Sequence, residues 1–295
     1  MALALGIDAG GTKTLARVVQ GEKVVFEGQG GPANVASVSS KVVEESLKEA
    51  LKGCPKVDAA CGCFAGLISP AYEMRAKSLL QSILGIEKVA ARPDFHAAWE
   101  VAAPSCDVLV IAGTGVLVCS STGGKLVKSG GGGVLFGDEG SAASVGRLAL
   151  HGQLVSALTL PATESFWAKV DKVFGSRDRD EVMAALYRSD TPGAMFASLC
   201  ETVAQDAASE KDYAVFAVSN AIVALRDEVV AHVLAYQKEK LPKVRIGLTG
   251  GLWKAHPIFF QWFKPFEDEP RITATKNVLE IEPVVGACMI AEKML

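Results

Sequence analysis

The chain has 295 residues, 49% of them hydrophobic and 21% charged, with a formal net charge of -3. This much apolar material excludes a mainly disordered state, and the charge offers no basic footprint for nucleic acid. No apolar run is long enough to span a membrane.

A chain of this length is expected to hold about two domains. Its start, MALALGIDAGG, is apolar but short, without a basic region or cleavage site, and reads as a first strand rather than a targeting segment. The expected compartment is the cytoplasm, where the seven cysteines stay thiols.

Leu3 to Ile7 is apolar on both faces and predicts a buried central strand ending at Asp8. A carboxylate beside Gly10-Gly11 can hold Mg2+ through water, and Thr12, Lys13 and Thr14 supply hydroxyls and a cation for phosphate. The plainer reading is an ordinary polar hairpin with Lys13 in solvent. Val24 to Phe26 continues the meander into a loop, Gly30 to Asn34. Asn34 is either a turn residue or a partner for a substrate hydroxyl. Ser37 or Ser39 can cap a helix running to about Leu51.

Val57 to Ala65 predicts a strand of small residues. Cys61 and Cys63 alternate on one of its faces, and with Cys54 they read as small buried thiols rather than metal ligands. Pro70 to Leu84 reads as a helix with proline at its start, and Val89 to Ala91 as a short strand. Asp94 follows, before an apolar helix. It can act as a general base toward a hydroxyl, or it can be the helix N-cap. His96 reads as structural.

A boundary is expected at Pro104-Ser105. Beyond it, Val108 to Ala112 is a strand that enters a Gly113-Thr114-Gly115 turn. A second apolar run, a turn at Gly123-Gly124, a third run and the glycines 130–133 follow. Gly137-Asp138-Glu139-Gly140-Ser141 then opens a helix. The same strand, turn and hairpin occur in the same order from Leu5 to Gly31, which suggests a duplicated architecture whose two copies clamp one phosphorylated ligand. From Ser141 to about Tyr236 the chain reads as mostly helical, including Val145 to Leu158, Glu164 to Val173, Glu181 to Tyr187 and Ala214 to Leu234. Val244 to Leu248 returns to strand before Thr249-Gly250-Gly251, a backbone that can lie against a nucleoside or be a simple turn. A short strand at Ile272 to Ala274 and a small-residue helix from Pro283 to Leu295 complete the chain.

GIDAGGTKT (Gly6 to Thr14), IAGTG (Ile111 to Gly115), GDEGS (Gly137 to Ser141), LTGG (Leu248 to Gly251) and PVVGA (Pro283 to Ala287) occur in this order. Together they resemble the sugar kinase, Hsp70 and actin superfamily. Within it the chain resembles the N-acetylglucosamine kinase branch, grouped with the BadF/BadG/BcrA/BcrD-type ATPases. The resemblance implies an α/β fold of two ribonuclease-H-like (actin-like ATPase) domains around a central nucleotide cleft. The expected division is residues 1–104, with the C-terminal helix 283–295 packing onto them, and residues 105–282 with a helical insertion.

The resemblance also implies roles. Asp8 would be the Mg2+-associated carboxylate. Gly10, Gly11, Thr12, Lys13 and Thr14 would approach the terminal phosphates of ATP, Gly113, Thr114 and Gly115 would form the second phosphate loop, and Gly250 and Gly251 would line the nucleoside. Asp94 would be the general base. Asn34, Gly131, Asp138 and Glu139 would surround an amino sugar, with Ser141 starting the helix behind it. The implied activity is ATP-dependent phosphorylation of N-acetylglucosamine or glucosamine at the 6-hydroxyl, by a homodimer. Two departures stand out: Val116 where the family often has Ser, which would remove a polar contact near phosphate, and Gly132 where it often has Trp. The alternatives are an ATPase that activates a partner redox enzyme and a sugar-responsive regulator of the ROK type.

Overall fold

Which strands are central follows from how much apolar surface each one carries. The structure, a computed structural model, describes residues 2–157 and 160–295. Strands β1 (Ala4–Ala9) and β4 (Ala59–Phe64) are built of small and branched residues that are almost all buried. β2 (Thr14–Gln20) alternates buried and half-buried residues, and β3 (Lys23–Gly30) is largely exposed. The sheet order is therefore β3-β2-β1-β4, closed on the far side by β5 (Val89–Pro93). β1, β2 and β3 are antiparallel neighbours, whereas β1, β4 and β5 run parallel. Helices α1 (Ser40–Ala50) and α2 (Pro70–Leu84) join the parallel strands, and Ser39 caps α1 by accepting the Val42 amide.

The chain divides into two compact units. The first runs to Pro104 and regains Glu280–Leu295; the second is Ser105–Leu279. In the first, one sheet face buries Leu5, Ile7, Leu47, Phe64 and Leu80 in a common core. The other face carries Ala4, Cys61 and Cys63 against α3 (Asp94–Ala102) and the C-terminal helix. The two thiols are fully buried, as expected, while Cys54 is half-buried with its Sγ 3.4 Å from the Pro55 carbonyl.

The second unit repeats the first sheet's topology. β6 (Val108–Ala112), β7 (Val116–Thr122) and β8 (Lys125–Gly130) form the antiparallel meander, and β9 (Lys243–Thr249) and β10 (Thr273–Val278) extend β6 in parallel. Among the described residues, six α-helices occupy the interval between β8 and β9: α4 (Ala142–Leu154), α5 (Glu164–Phe174), α6 (Arg179–Arg188), α7 (Pro192–Ala197), α8 (Cys200–Ala208) and α9 (Asp212–Tyr236). The predicted helix over 145–158 starts earlier and stops at Leu154; Leu158 lies outside the described residues. α10 (Gly251–Ala255) and α11 (Pro257–Trp262) follow β9. Phe166, Leu225, Phe259 and Phe263 lie at the centre of this unit's core.

The last helix, α12 (Pro283–Glu292), packs without room for side chains at two points. A Cβ on Gly6 of β1 would lie 2.3 Å from the Cys288 nitrogen, and one on Gly286 would lie 1.9 Å from the Ala97 carbonyl of α3. Ala at position 286 must push helices apart, and Gly286→Ala is expected to destabilise by about 1–3 kcal/mol. Gly152 inside α4 has no atom within 4 Å of such a Cβ. Gly152→Ala is expected to stabilise by roughly 0.5–1 kcal/mol. Urea midpoints of the two variants check both signs; equal effects would refute the packing argument.

Candidate functional site

In an open α/β sheet, polar ligands gather beyond the carboxyl ends of the parallel strands. In the first unit Asp8, near the end of β1, is in register with Cys63 of β4, and Cys63 with Arg92 of β5. Asp94 follows β5 directly as the first residue of α3. Pro93 holds the N-cap position and the Asp94 Oδ1 accepts the Phe95 amide at 2.9 Å, so Asp94 is not the N-cap. Its carboxylate is exposed. Asp8 is half-buried, and burial first, then the charge of Asp94, pushes its pKa up to about 6, while Lys13 pulls it down. The Cys63 thiol is pushed well up by its contact with Cys61, by burial and by both carboxylates. His96 is half-buried against Phe95, with ring centroids 4.7 Å apart, and burial lowers its pKa to about 4.

The β1–β2 turn is tied from behind. The Gly10 amide donates to the Lys13 carbonyl at 3.0 Å, and the Ala33 amide to the Gly10 carbonyl at 2.9 Å. Gly11, Thr12 and Lys13 are exposed at its tip. Thr14 is not: it is 0% exposed, and its hydroxyl donates to the Gly31 carbonyl at 2.8 Å. The expected approach of its hydroxyl to phosphate gives way to a clasp that holds the turn. Asn34 likewise spends its Oδ1 on a turn, accepting the amides of Ala36 (3.0 Å) and Ser37 (3.2 Å).

In the second unit the Gly113-Thr114-Gly115 turn closes with the Gly113 amide on the Gly115 carbonyl at 2.8 Å. It docks on the start of α4, where the amides of Ala142 and Ala143 donate to the carbonyls of Gly113 (2.9 Å) and Thr114 (3.3 Å). Thr114 is exposed. Because β6 and β9 are parallel neighbours, Gly250 and Gly251 come alongside. A Cβ on Gly250 would lie 2.2 Å from the Ala112 carbonyl, and one on Gly113 would lie 3.8 Å from the Gly251 nitrogen. Gly250 has φ of 106°, which only glycine adopts readily.

Asp138 joins this turn to the glycine run. Its Oδ1 accepts the Val116 amide at 3.2 Å, its own amide donates to the Gly131 carbonyl at 3.1 Å, and its carboxylate also accepts the Gly133 amide. Burial still pushes its pKa up. A Cβ on Gly115 would lie 2.6 Å from Asp138 Oδ2, so the second glycine of the turn makes room for this brace. Glu139 pairs with Arg147 at 2.5 Å and accepts the Ser144 hydroxyl at 3.1 Å, both from α4. Ser141 caps that helix through the Ser144 amide. The Val116 side chain turns into the core, so this departure from the family pattern falls on a buried side chain and not on the surface of the loop. Gly130 to Gly133 all have positive φ, and the run ends in Leu135 and Phe136, which are 92% and 93% exposed.

Sequence reasoning missed the bracing by Asp138 and the ties of Glu139 to Ser144 and Arg147. The only signal for them was an acidic pair just ahead of a Ser cap. It also missed the exposed Leu135-Phe136 tip.

The Asp8 carboxyl gives a pH test. Between pH 3.8 and about 6 the folded chain holds a proton there that the unfolded chain has lost, so this group's contribution to stability falls as pH rises. Above about pH 7 the cost is on the order of 3 kcal/mol. Asp8→Asn should therefore be the more stable protein at pH 8, with the gap closing toward pH 4. Denaturant midpoints across that range check it, and a pH-independent gap would count against it.

The sequence matches the BadF/BadG/BcrA/BcrD ATPase family over residues 5–291. No curated protein sequence matches the chain. Among solved structures, a candidate N-acetylglucosamine kinase from Chromobacterium violaceum is 22% identical, covers 99% of both chains and superposes with a TM-score of 0.71. A candidate N-acetylglucosamine kinase from Porphyromonas gingivalis gives 21% identity, 98% coverage of both and a TM-score of 0.71. A ROK family glucokinase from Streptomyces griseus, solved with glucose and AMPPNP, gives 16% identity, 99% coverage of both and a TM-score of 0.58. These likenesses identify the fold as the actin-like α/β architecture of sugar kinases. With nearly its whole length matched, the chain belongs to the BadF/BadG/BcrA/BcrD ATPase family.

Proposed function

We propose that the protein is an ATP-dependent kinase that phosphorylates an amino sugar, N-acetylglucosamine or glucosamine, at its 6-hydroxyl. The observation that carries this reading is the exposed Asp94 acting on the same ground as half-buried Asp8 and Lys13. A base, a carboxylate suited to a cation and a phosphate partner are the parts phosphoryl transfer asks for.

In this reading Asp94 accepts the proton of the attacking hydroxyl. The exposed amides and side chains of Gly11, Thr12 and Lys13 receive the terminal phosphates, with Thr14 holding the turn. Gly113, Thr114 and Gly115 receive phosphate oxygens in the second unit, and Gly250 and Gly251 lie against the nucleoside. Gly131 and the neighbouring Leu135-Phe136 tip line the sugar, while Asp138 and Asn34 shape its surroundings through the turns they brace and Glu139 through its ties to α4.

Mg2+ fits the acidic ground around Asp8. Burial and then the charge of Asp94 raise the proton affinity of Asp8, with Lys13 as the cation that relieves it, so a divalent ion there would offset the cost of the Asp8 charge. Asp8 would hold it through water, and Mg2+ supplies neutralisation of charge on the phosphates. The redox-partner reading asks for several accessible cysteines, and Cys61 and Cys63 are instead fully buried in β4, which leaves only the half-buried Cys54 of the three.

A coupled ADP-release assay with Mg-ATP tests the proposal against N-acetylglucosamine, glucosamine, N-acetylmannosamine, N-acetylmuramic acid and glucose. Release that depends on one of the first two supports it; sugar-independent release overturns it. Asp94→Asn is expected to lower turnover by about 100-fold or more while nucleotide affinity stays within about twofold. Near-normal turnover would remove Asp94 from its role. Gly115→Ala forces the Asp138 carboxylate away from the turn and is expected to raise KM for ATP by roughly 10-fold. An unchanged KM would show that the turn does not meet the nucleotide.

A further inference from the structure

The first unit has an opening among its helices that neither Asp8 nor Asp94 lines. It lies between α1 and α2, has a volume of about 360 Å³, and is lined by Val35, Val38, Val43 and Leu79 together with Tyr72, Arg75 and Glu44. We propose that it binds a small organic acid, with the carboxylate on Arg75 and an apolar body against the valines and Leu79.

Three observations carry this. The first is size: about 300–1,000 Å³ is the range of small-molecule pockets, and one aromatic or branched body fits this one.

The second is a firm wall. Val43 is part of the unit's core, and Val35, Val38 and Leu79 pack against that core. These four side chains are therefore held in place by packing.

The third is a cation held by neutral groups, the Ser40 hydroxyl and, 6.0 Å away, the Tyr72 ring. Arg75 donates from Nη2 to the Ser40 hydroxyl at 2.7 Å, which fixes the guanidinium over the first turn of α1. The acidic neighbours are taken: Glu44 pairs with Lys48 at 2.6 Å, and Glu73 with Arg92. Among the described residues no carboxylate pairs with Arg75. A planar guanidinium has five N–H donors and matches a carboxylate with two parallel bonds. Val35 and Val38 belong to the segment whose amides Asn34 receives, so an occupant would also steady the Asn34 turn.

The probe is 3-(4-fluorophenyl)propionate, added to the full-length protein without nucleotide and followed by fluorine line width and by backbone amide shifts. Because no turnover is read, the outcome is independent of the kinase proposal. Saturable shifts confined to residues 35–44 and 72–79 are expected. The uncharged amide analogue should bind at least fivefold more weakly, as should the acid to Arg75→Gln, and Val38→Trp should block it. The absence of saturable shifts, equal binding of acid and amide, or unchanged binding to Arg75→Gln would each overturn the proposal. So would the same shifts appearing on simple dilution of the protein, because the groove would then be covered by a second copy. The amide comparison uses the unaltered protein, so it decides the matter even if a variant fails to fold.

Discussion

The first unit depends on the closeness of α12 to β1 and α3. At Gly6 and Gly286 backbone meets backbone, with no space for a single Cβ. Helices and sheets normally stand off by the thickness of their side chains. Here the helix is drawn in until the Cys288 Sγ reaches the Arg17 carbonyl at 3.3 Å. Arg17 also pairs with Glu282 at 2.9 Å, just ahead of the helix. The helix that ends the chain thus fixes two elements far from it in sequence. β1 carries Asp8 two residues after Gly6, and α3 begins with Asp94 three residues before Ala97. Any loosening of this contact would be felt at both carboxylates.

That rigidity explains how the chain keeps Asp8 and Asp94 near one another. Left free, two carboxylates separate or take up a proton, and the Asp8 pKa is displaced upward by its burial first and then by the charge of Asp94. A protein gains nothing in stability from such a pair. It is tolerated because the surrounding contacts, small residues packed on α12, over-determine the positions. Sites that must hold charge for a ligand are commonly less stable than they would be without it.

Much of the architecture was legible because the physics behind it is local. Pro70 and Leu84 bound α2 as read, since proline starts a helix readily and the apolar spacing continues to Gly85, a left-handed C-cap. The two strand–turn–hairpin units were legible because apolar runs broken by glycine pairs leave little else for the chain to do. The site was less legible because its side chains have a choice. Thr14, Asn34, Asp138 and Glu139 each could face outward to a ligand or inward to a backbone group, and spacing does not decide between them. In the fold, Thr14, Asn34 and Asp138 satisfy backbone groups and Glu139 meets α4, since an unpaired buried donor or acceptor costs more than an exposed one.

The two units have solved one problem twice. A glycine-rich turn can present its amides only if it does not collapse, yet glycine gives it no side chains to pack. In the first unit the brace is a hydroxyl, with buried Thr14 reaching across to the Gly31 carbonyl of the next loop. In the second it is a carboxylate, with Asp138 collecting amides from Val116 and Gly133. Both braces tie the turn after the first strand to the glycines that follow the third, so each meander is cross-linked at its open end. A hydroxyl suffices where the turn is short and backed by the Ala33 amide. The longer run 130–137, with four successive glycines in the left-handed region, needs an acceptor with two oxygens. The duplication thus conserves the constraint on the turn rather than the residue that meets it.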